Sequence, residues 1–221
     1  MTSRTEDTQI SPPKEDATQK KSQSREERYL EKRIKRLRLV EQRIRPFKQN
    51  WDEARVAVEK LLQEEDNLNE IRSLRVPQTP IIKLFQLIGI VSGLSKVSIS
   101  EWEEFEDHHE QHWTSECAKF CNTETLRKML QYDFKKLDDQ DKELLKGMTQ
   151  DPTMATNNLA KVSDTCGNLA EYLTCLYSYV IALETADIED FEVESHEQLR
   201  TKIKQMKKEL LALKEKNVNE K

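Results

Sequence analysis

Between Leu37 and Leu61 the apolar positions fall at Leu37, Val40, Ile44, Phe47, Trp51, Ala54, Val58 and Leu61, alternately three and four apart. That alternation lays one apolar seam along a helix, as in a coiled-coil strand. Glu65 interrupts the seam, Leu68 resumes it, and Ile71 and Leu74 carry the face to the prolines of "RVPQTP". Pro46 lies inside the run, where its missing N–H predicts a kink or a local break, so a rigid rod is expected only from Asn50 onward. A second seam, Leu199, Ile203, Met206, Leu210 and Leu213, sits near the other end. Two such seams separated by about a hundred residues pair most simply as antiparallel legs of one hairpin, with the middle of the chain at the tip.

The middle reads as short helices over residues 81–91, 102–120, 123–132 and 139–147, followed by a long one from Asn158. In the last, Leu159, Val162, Cys166, Leu169, Leu173, Leu176, Val180 and Leu183 keep helical spacing, and the pattern is expected to run on into the returning leg. The expected fold is therefore all-α: an antiparallel coiled-coil hairpin, or stalk, capped by a small helical bundle and preceded by a disordered tail. The expected divisions are a tail over 1–24, a basic and coiled-coil outgoing helix over 25–76, a helical tip over 77–183 and a returning helix over 184–221. The tail is poor in large apolar groups and cannot offset the entropy of ordering.

Composition supports this class. Of 221 residues, 35% are charged and only four are glycine, a balance that suits long helices and not a turn-rich β protein. The net charge of −5 is unevenly spread. Residues 25–48 hold ten Lys or Arg against four acids, a net +6, whereas residues 77–183 hold ten against sixteen, a net −6. The longest apolar run, "IIKLFQLIGIVSGL", is interrupted by Lys83 and Gln86 and falls short of the roughly 20 residues a membrane span needs. No apolar central region marks the N-terminus as a secretory signal. An intracellular protein is expected, with Cys117, Cys121, Cys166 and Cys175 as reduced thiols.

Candidate chemistry is sparse. His108, His109 and His112 lie close to Cys117 and Cys121, but the five-residue step from His112 to Cys117 turns a continuous helix by a net angle of about 140°, so the two pairs face apart. Surface imidazoles and buried thiols are expected there, with no metal and no cofactor. None of the glycines opens a GxxxxGK[ST] phosphate loop, and no nucleophile, base and oxyanion set is present, so no enzymatic activity is expected.

Several motifs resemble the stalk and microtubule-binding domain of dynein heavy chains. "AVEKLLQEEDNLNEIRSLRVP" resembles the outgoing stalk helix, which in that family closes with a similar N-E-I-R-S run before prolines. "LRKMLQYDFKKLDDQDKELLKGMTQDPTMATNNLAKVSDTCGNLAEYL" resembles the rest of the tip, with its Tyr-Asp pair, Asp-Pro turn and V-S-x-x-C run. The resemblance covers residues 57–216. It departs where Tyr172 replaces a Trp, where Phe134 replaces the Lys after the Tyr-Asp pair, and where "ETADIEDFEVE" replaces a Pro-Lys-Arg run.

The resemblance implies a stand-alone stalk and tip, with Pro77 and Pro80 as the stalk-to-tip junction. It implies microtubule contact through Lys83, Lys128, Lys135, Lys136 and Lys161, since the tubulin surface is acidic. Partners would be microtubules, with dynein or axonemal complex subunits, and the location cytoplasmic and cytoskeletal, extending to the cilium. The acidic run "EWEEFEDHHEQ" would then have to face away from tubulin. Two other readings stand beside it. One is a coiled-coil scaffold whose tip has lost tubulin affinity. The other is a binder of nucleic acid or anionic membrane through the basic helix, where the lack of an aromatic platform argues against sequence-specific nucleic-acid reading. No small-molecule substrate is expected.

Overall fold

The computed structural model describes residues 15–63, 65–75, 77–96, 113, 117–186 and 195–219, with side chains from Arg25. Among these residues every regular element is helical. The α-helices are α1 (Glu15–Leu61), α2 (Glu65–Arg72), α3 (Thr79–Val91), α4 (Thr123–Gln131), α5 (Asp139–Gln150), α6 (Thr156–Ala160), α7 (Asp164–Glu184) and α8 (His196–Asn219), joined by 3₁₀ turns at Ala118–Phe120, Phe134–Lys136 and Pro152–Met154. None of the described helices is long and apolar enough to cross a membrane. The chain forms two compact units, Arg43–Asp187 and Met1–Gln42 with Ile188–Lys221. The sequence pattern places the start of the globular part at Pro77, but the larger compact unit already begins at Arg43.

In the unit Arg43–Asp187, α3 is the central element. Gln78 is extended at φ −64° and ψ 148°, and Pro80 sits in the first turn, where its fixed φ suits a helix start and its missing N–H costs nothing. Every residue from Ile81 to Val91 is buried, because α4, α5, α7 and two of the 3₁₀ turns pack around α3. A helix apolar on nearly all sides has to be enclosed in this way. Its one buried amide is satisfied: Gln86 donates through Nε2 to Ser95 Oγ at 2.8 Å and accepts from the Cys117 thiol at 3.3 Å. Gly93, at φ +70°, closes the helix, and the N–H groups of Leu94 and Ser95 both reach the Gly89 carbonyl. Across α3, the Phe120 ring lies 2.6 Å from where a Cβ on Gly89 would stand, so the glycine permits this packing.

The outgoing seam finds a different partner from the one its spacing predicts. From Trp51 onward it meets α7 and not the returning seam. Trp51 stacks on Tyr179 at 5.2 Å between ring centroids and 17° between planes, meets Phe134 edge-on at 5.8 Å, and lies 6.4 Å from Tyr172. The physical reason is area: α7 buries Tyr172, Leu173, Leu176, Tyr179 and Val180 along one side, and aromatic groups supply the largest apolar surface per residue. The predicted pause at Glu65 is present as the break between α1 and α2.

Of the kink or local break expected at Pro46, no break is present: α1 is continuous there, with buried Ile44 and Trp51 anchoring it on either side. Two further expectations are corrected. The long helix from Asn158 is two helices. The first ends at Ala160 with Lys161 as its cap, and Ser163, extended at φ −162°, caps the second by accepting from Thr165 N–H. Nor does α7 run on into the returning leg: it ends at Glu184, with Thr185 Oγ1 donating to the Ile181 carbonyl at 2.7 Å.

In the other unit, α1 begins at Glu15, inside the stretch expected to be disordered. Glu, Ala, Gln and Lys favour helix, and adding residues to an existing helix avoids the cost of nucleation. Residues 1–14 lie outside the described residues. The first part of α1 and α8 run antiparallel: Glu41 meets His196 at 3.2 Å at the start of α8, and Glu31 meets Lys214 at 2.8 Å near its end. Ile34, Leu37 and Val40 of α1 and Leu199, Ile203 and Met206 of α8 are buried. Both members of the Glu41–His196 pair are buried, so the contact is made away from bulk solvent.

Trp51→Ala should cost about 3–5 kcal/mol, read as a fall in urea midpoint with unchanged slope. Gly89→Ala should cost about 1–3 kcal/mol by overpacking against Phe120.

Candidate functional site

The Pro77–Pro80 junction forms one wall of a groove of about 630 Å³, lined by Pro77, Gln78, Thr79, Pro80, Thr153, Asn158, Leu159 and Val162. Pro77 is buried and Leu159 is fully covered, so both act as floor, while Val162 is 45% exposed and offers an apolar contact at the rim. The opposite wall is held by local polar bonds. Asp151 accepts from the N–H of Thr153 at 2.8 Å and from its hydroxyl at 2.7 Å, and Asn158 Nδ2 donates to the Pro152 carbonyl at 2.7 Å. Thr156 donates to Glu171 at 2.8 Å and ties α6 to α7. The two helices approach so closely that a Cβ on Gly167 would meet that of Ala160 at 2.7 Å, which fixes the angle of α6 behind the groove.

The five lysines drawn from the resemblance separate here. Lys161 sits at the end of α6, exposed, with Nζ donating to Asn158 Oδ1 at 2.9 Å, so it stands beside a groove-lining residue. Lys135 and Lys136 are exposed in the 3₁₀ turn Phe134–Lys136, whose backbone is set by Asp133 accepting from Lys135 N–H at 3.2 Å. Lys128 is exposed on α4 and forms an ion pair with Glu124 at 2.9 Å, which offsets its charge locally. Lys83 differs from the other four: it is only 8% exposed on the enclosed helix α3. Spacing from the prolines carried no sign of this burial, which the elements packed around α3 impose.

The His–Cys cluster divides in a similar way. His108, His109 and His112 lie outside the described residues, as does the run "EWEEFEDHHEQ". Cys117 and Cys121 are buried, and Cys121 donates to the Leu68 carbonyl at 3.0 Å. Burial pushes the thiols of Cys121, Cys166 and Cys175 up to about 12. These three are protonated at neutral pH, a state suited to packing and not to nucleophilic attack or metal ligation. All four cysteines are free and buried.

One polar constellation was missed by sequence reading. Lys96 Nζ bonds Asp138 at 2.9 Å and Asp141 at 2.6 Å, and Asp141 is 2% exposed. Asp138 and Asp141 also form the reciprocal capping box of α5. The signal was present as Asp-x-x-Asp ahead of an apolar run, but the cation arrives from 42 residues earlier in the chain. The Lys96 ammonium, bonding first, holds the Asp138 carboxyl below the usual aspartate range.

Two outcomes follow from these environments. The native thiols should resist iodoacetamide at pH 8 and react in urea, read by mass spectrometry. Asp138 has a depressed folded pKa, so its contribution is full above the ordinary aspartate value of about 3.9 and is lost as pH falls through the lower folded value. Melting temperatures from pH 5 to pH 2 should therefore fall less in Lys96→Met than in the wild type.

Comparison of the chain with protein-family models and with curated proteins finds no match.

Proposed function

We propose that this chain is a non-catalytic microtubule-binding protein, built on the plan of a dynein heavy-chain stalk tip. In this reading α1 and α8 act as the outgoing and returning legs of a short stalk, and the unit Arg43–Asp187 is the tip. Axonemal or dynein-associated complexes are the natural setting for such an element.

The observation that carries the proposal is the groove at the proline junction. The Pro77–Pro80 junction and the stretch from Asn158 to Val162 line it together, with Lys161 alongside. Lys135 and Lys136 are exposed in their own turn, and Lys83, 8% exposed, is left out of the contact set.

Charge favours one alternative. Arg43–Asp187 holds seventeen Lys or Arg against twenty-five acids, a net −8, which repels an acidic wall unless its cations are gathered on one face. A scaffold whose tip has lost tubulin affinity is the reading this balance supports.

Co-sedimentation with microtubules over a salt series separates the two. Pelleting at low salt that fades as ionic strength rises, and that is lost in Lys135→Glu/Lys136→Glu/Lys161→Glu, is the expected result. Absence of pelleting at the lowest salt would sink the microtubule reading in favour of the scaffold.

A further inference from the structure

The unit that pairs the first part of α1 with α8 has the opposite charge to the rest of the chain. Residues 25–42 and α8 together hold fourteen Lys or Arg against seven acids, a net +7. On α1, Arg25, Arg28, Lys32 and Lys35 are exposed and three or four residues apart, so they form one row along the helix. At 100° per residue that row lies on the far side from buried Ile34, Leu37 and Val40. Leu39, 50% exposed, lies in the same row, and Tyr29, 57% exposed, borders it. Arg33 steadies the Tyr29 ring, with its guanidinium 5.7 Å from the centroid and 3.1 Å from the hydroxyl. On α8, Arg200, Lys204, Lys208 and Leu211 form a second exposed row of the same mixed character.

We propose that this unit binds an extended acidic protein segment whose carboxylates are interspersed with apolar or aromatic residues. The α1 row runs about 15 Å at 1.5 Å per residue, with a cation at each turn of about 5.4 Å. An extended chain rises about 3.3 Å per residue, so carboxylates on alternate residues recur roughly every 6–7 Å and can each meet a neighbouring cation. Tyr29 and Leu39 then receive the intervening apolar side chains. The same residues set aside two other polyanions. Duplex nucleic acid offers phosphates and sugars with its bases stacked inside, and a single strand, whose successive bases stack on several rings, finds only Tyr29 in these two rows. A membrane-surface helix needs an open apolar face, and the apolar faces of both helices here are buried. The surface shares no residue with the proline groove, so its fate is independent of microtubule binding there.

The test uses the full chain and a short fluorescent peptide alternating Glu with Phe, followed by anisotropy at rising salt. Binding should be strongest at low salt and weaken by at least about tenfold in Arg28→Glu/Lys32→Glu/Lys35→Glu, with an unchanged circular dichroism spectrum. The corresponding Gln variant, which keeps helix propensity without reversing charge, should fall between the two. Leu39→Ser should weaken the Glu-Phe peptide more than an all-Glu peptide. No binding at low salt, or equal binding by wild type and both charge variants, overturns the proposal. Tighter binding to duplex DNA or RNA, or to phosphatidylserine vesicles, than to the peptide overturns it in favour of that polyanion.

Discussion

Helix α3 is enclosed on every side, and the unit Arg43–Asp187 is arranged around that requirement. Its residues from Ile81 to Val91 leave no polar stripe to face water, so α4, α5, α7 and the connecting turns are recruited as its shell. The preceding helix α2 ends at Arg72, and α3 starts after extended Gln78, with Pro80 fitted into its first turn. What looks from the sequence like a helix stop is equally a helix start.

Enclosure of α3 also decides what the surface can do. Lys83 is drawn inside with the rest of the helix, and binding potential passes to residues at its entrance and to neighbouring turns. The proline groove borrows one wall from the start of α3 and the other from Pro152 to Val162, so it exists only because the two meet. The aromatic group of Trp51, Phe134, Tyr172 and Tyr179 plays the matching role on the other flank, fastening α1 to α7. Phe134 and Tyr172 are two of the three positions at which the chain departs from the dynein-stalk pattern. Both departures enter this one cluster, where an aromatic ring or a phenol packs against Trp51.

Charge is the second organising feature. A net −8 in one unit and a net +7 on the helices of the other give the chain two electrostatic characters. Such an arrangement favours distinct partners for each unit, since the field that attracts an acidic surface to one repels it from most of the other. Local pairs such as Lys128–Glu124 and Lys142–Glu184 moderate the acidic unit without changing its sign.

The sequence by itself determined the all-helical class, most helix positions and the residues of each seam, because apolar spacing of three and four is a local property of the chain. It also determined the uneven charge, and it carried the capping signals at Asp138 and Ser163 even where they were not read. Only the tertiary structure decided which surface each seam meets. Trp51 could pair with any apolar stripe, and α7 offers it more aromatic area than α8. Only the tertiary structure decided that Lys83 is buried and Lys161 exposed, since how many neighbours surround each is set by packing and not by the local sequence. The Lys96 clamp belongs to the same class. Its partners lie 42 and 45 residues away, beyond the reach of any local pattern, and are brought together by the packing of α3 against α5.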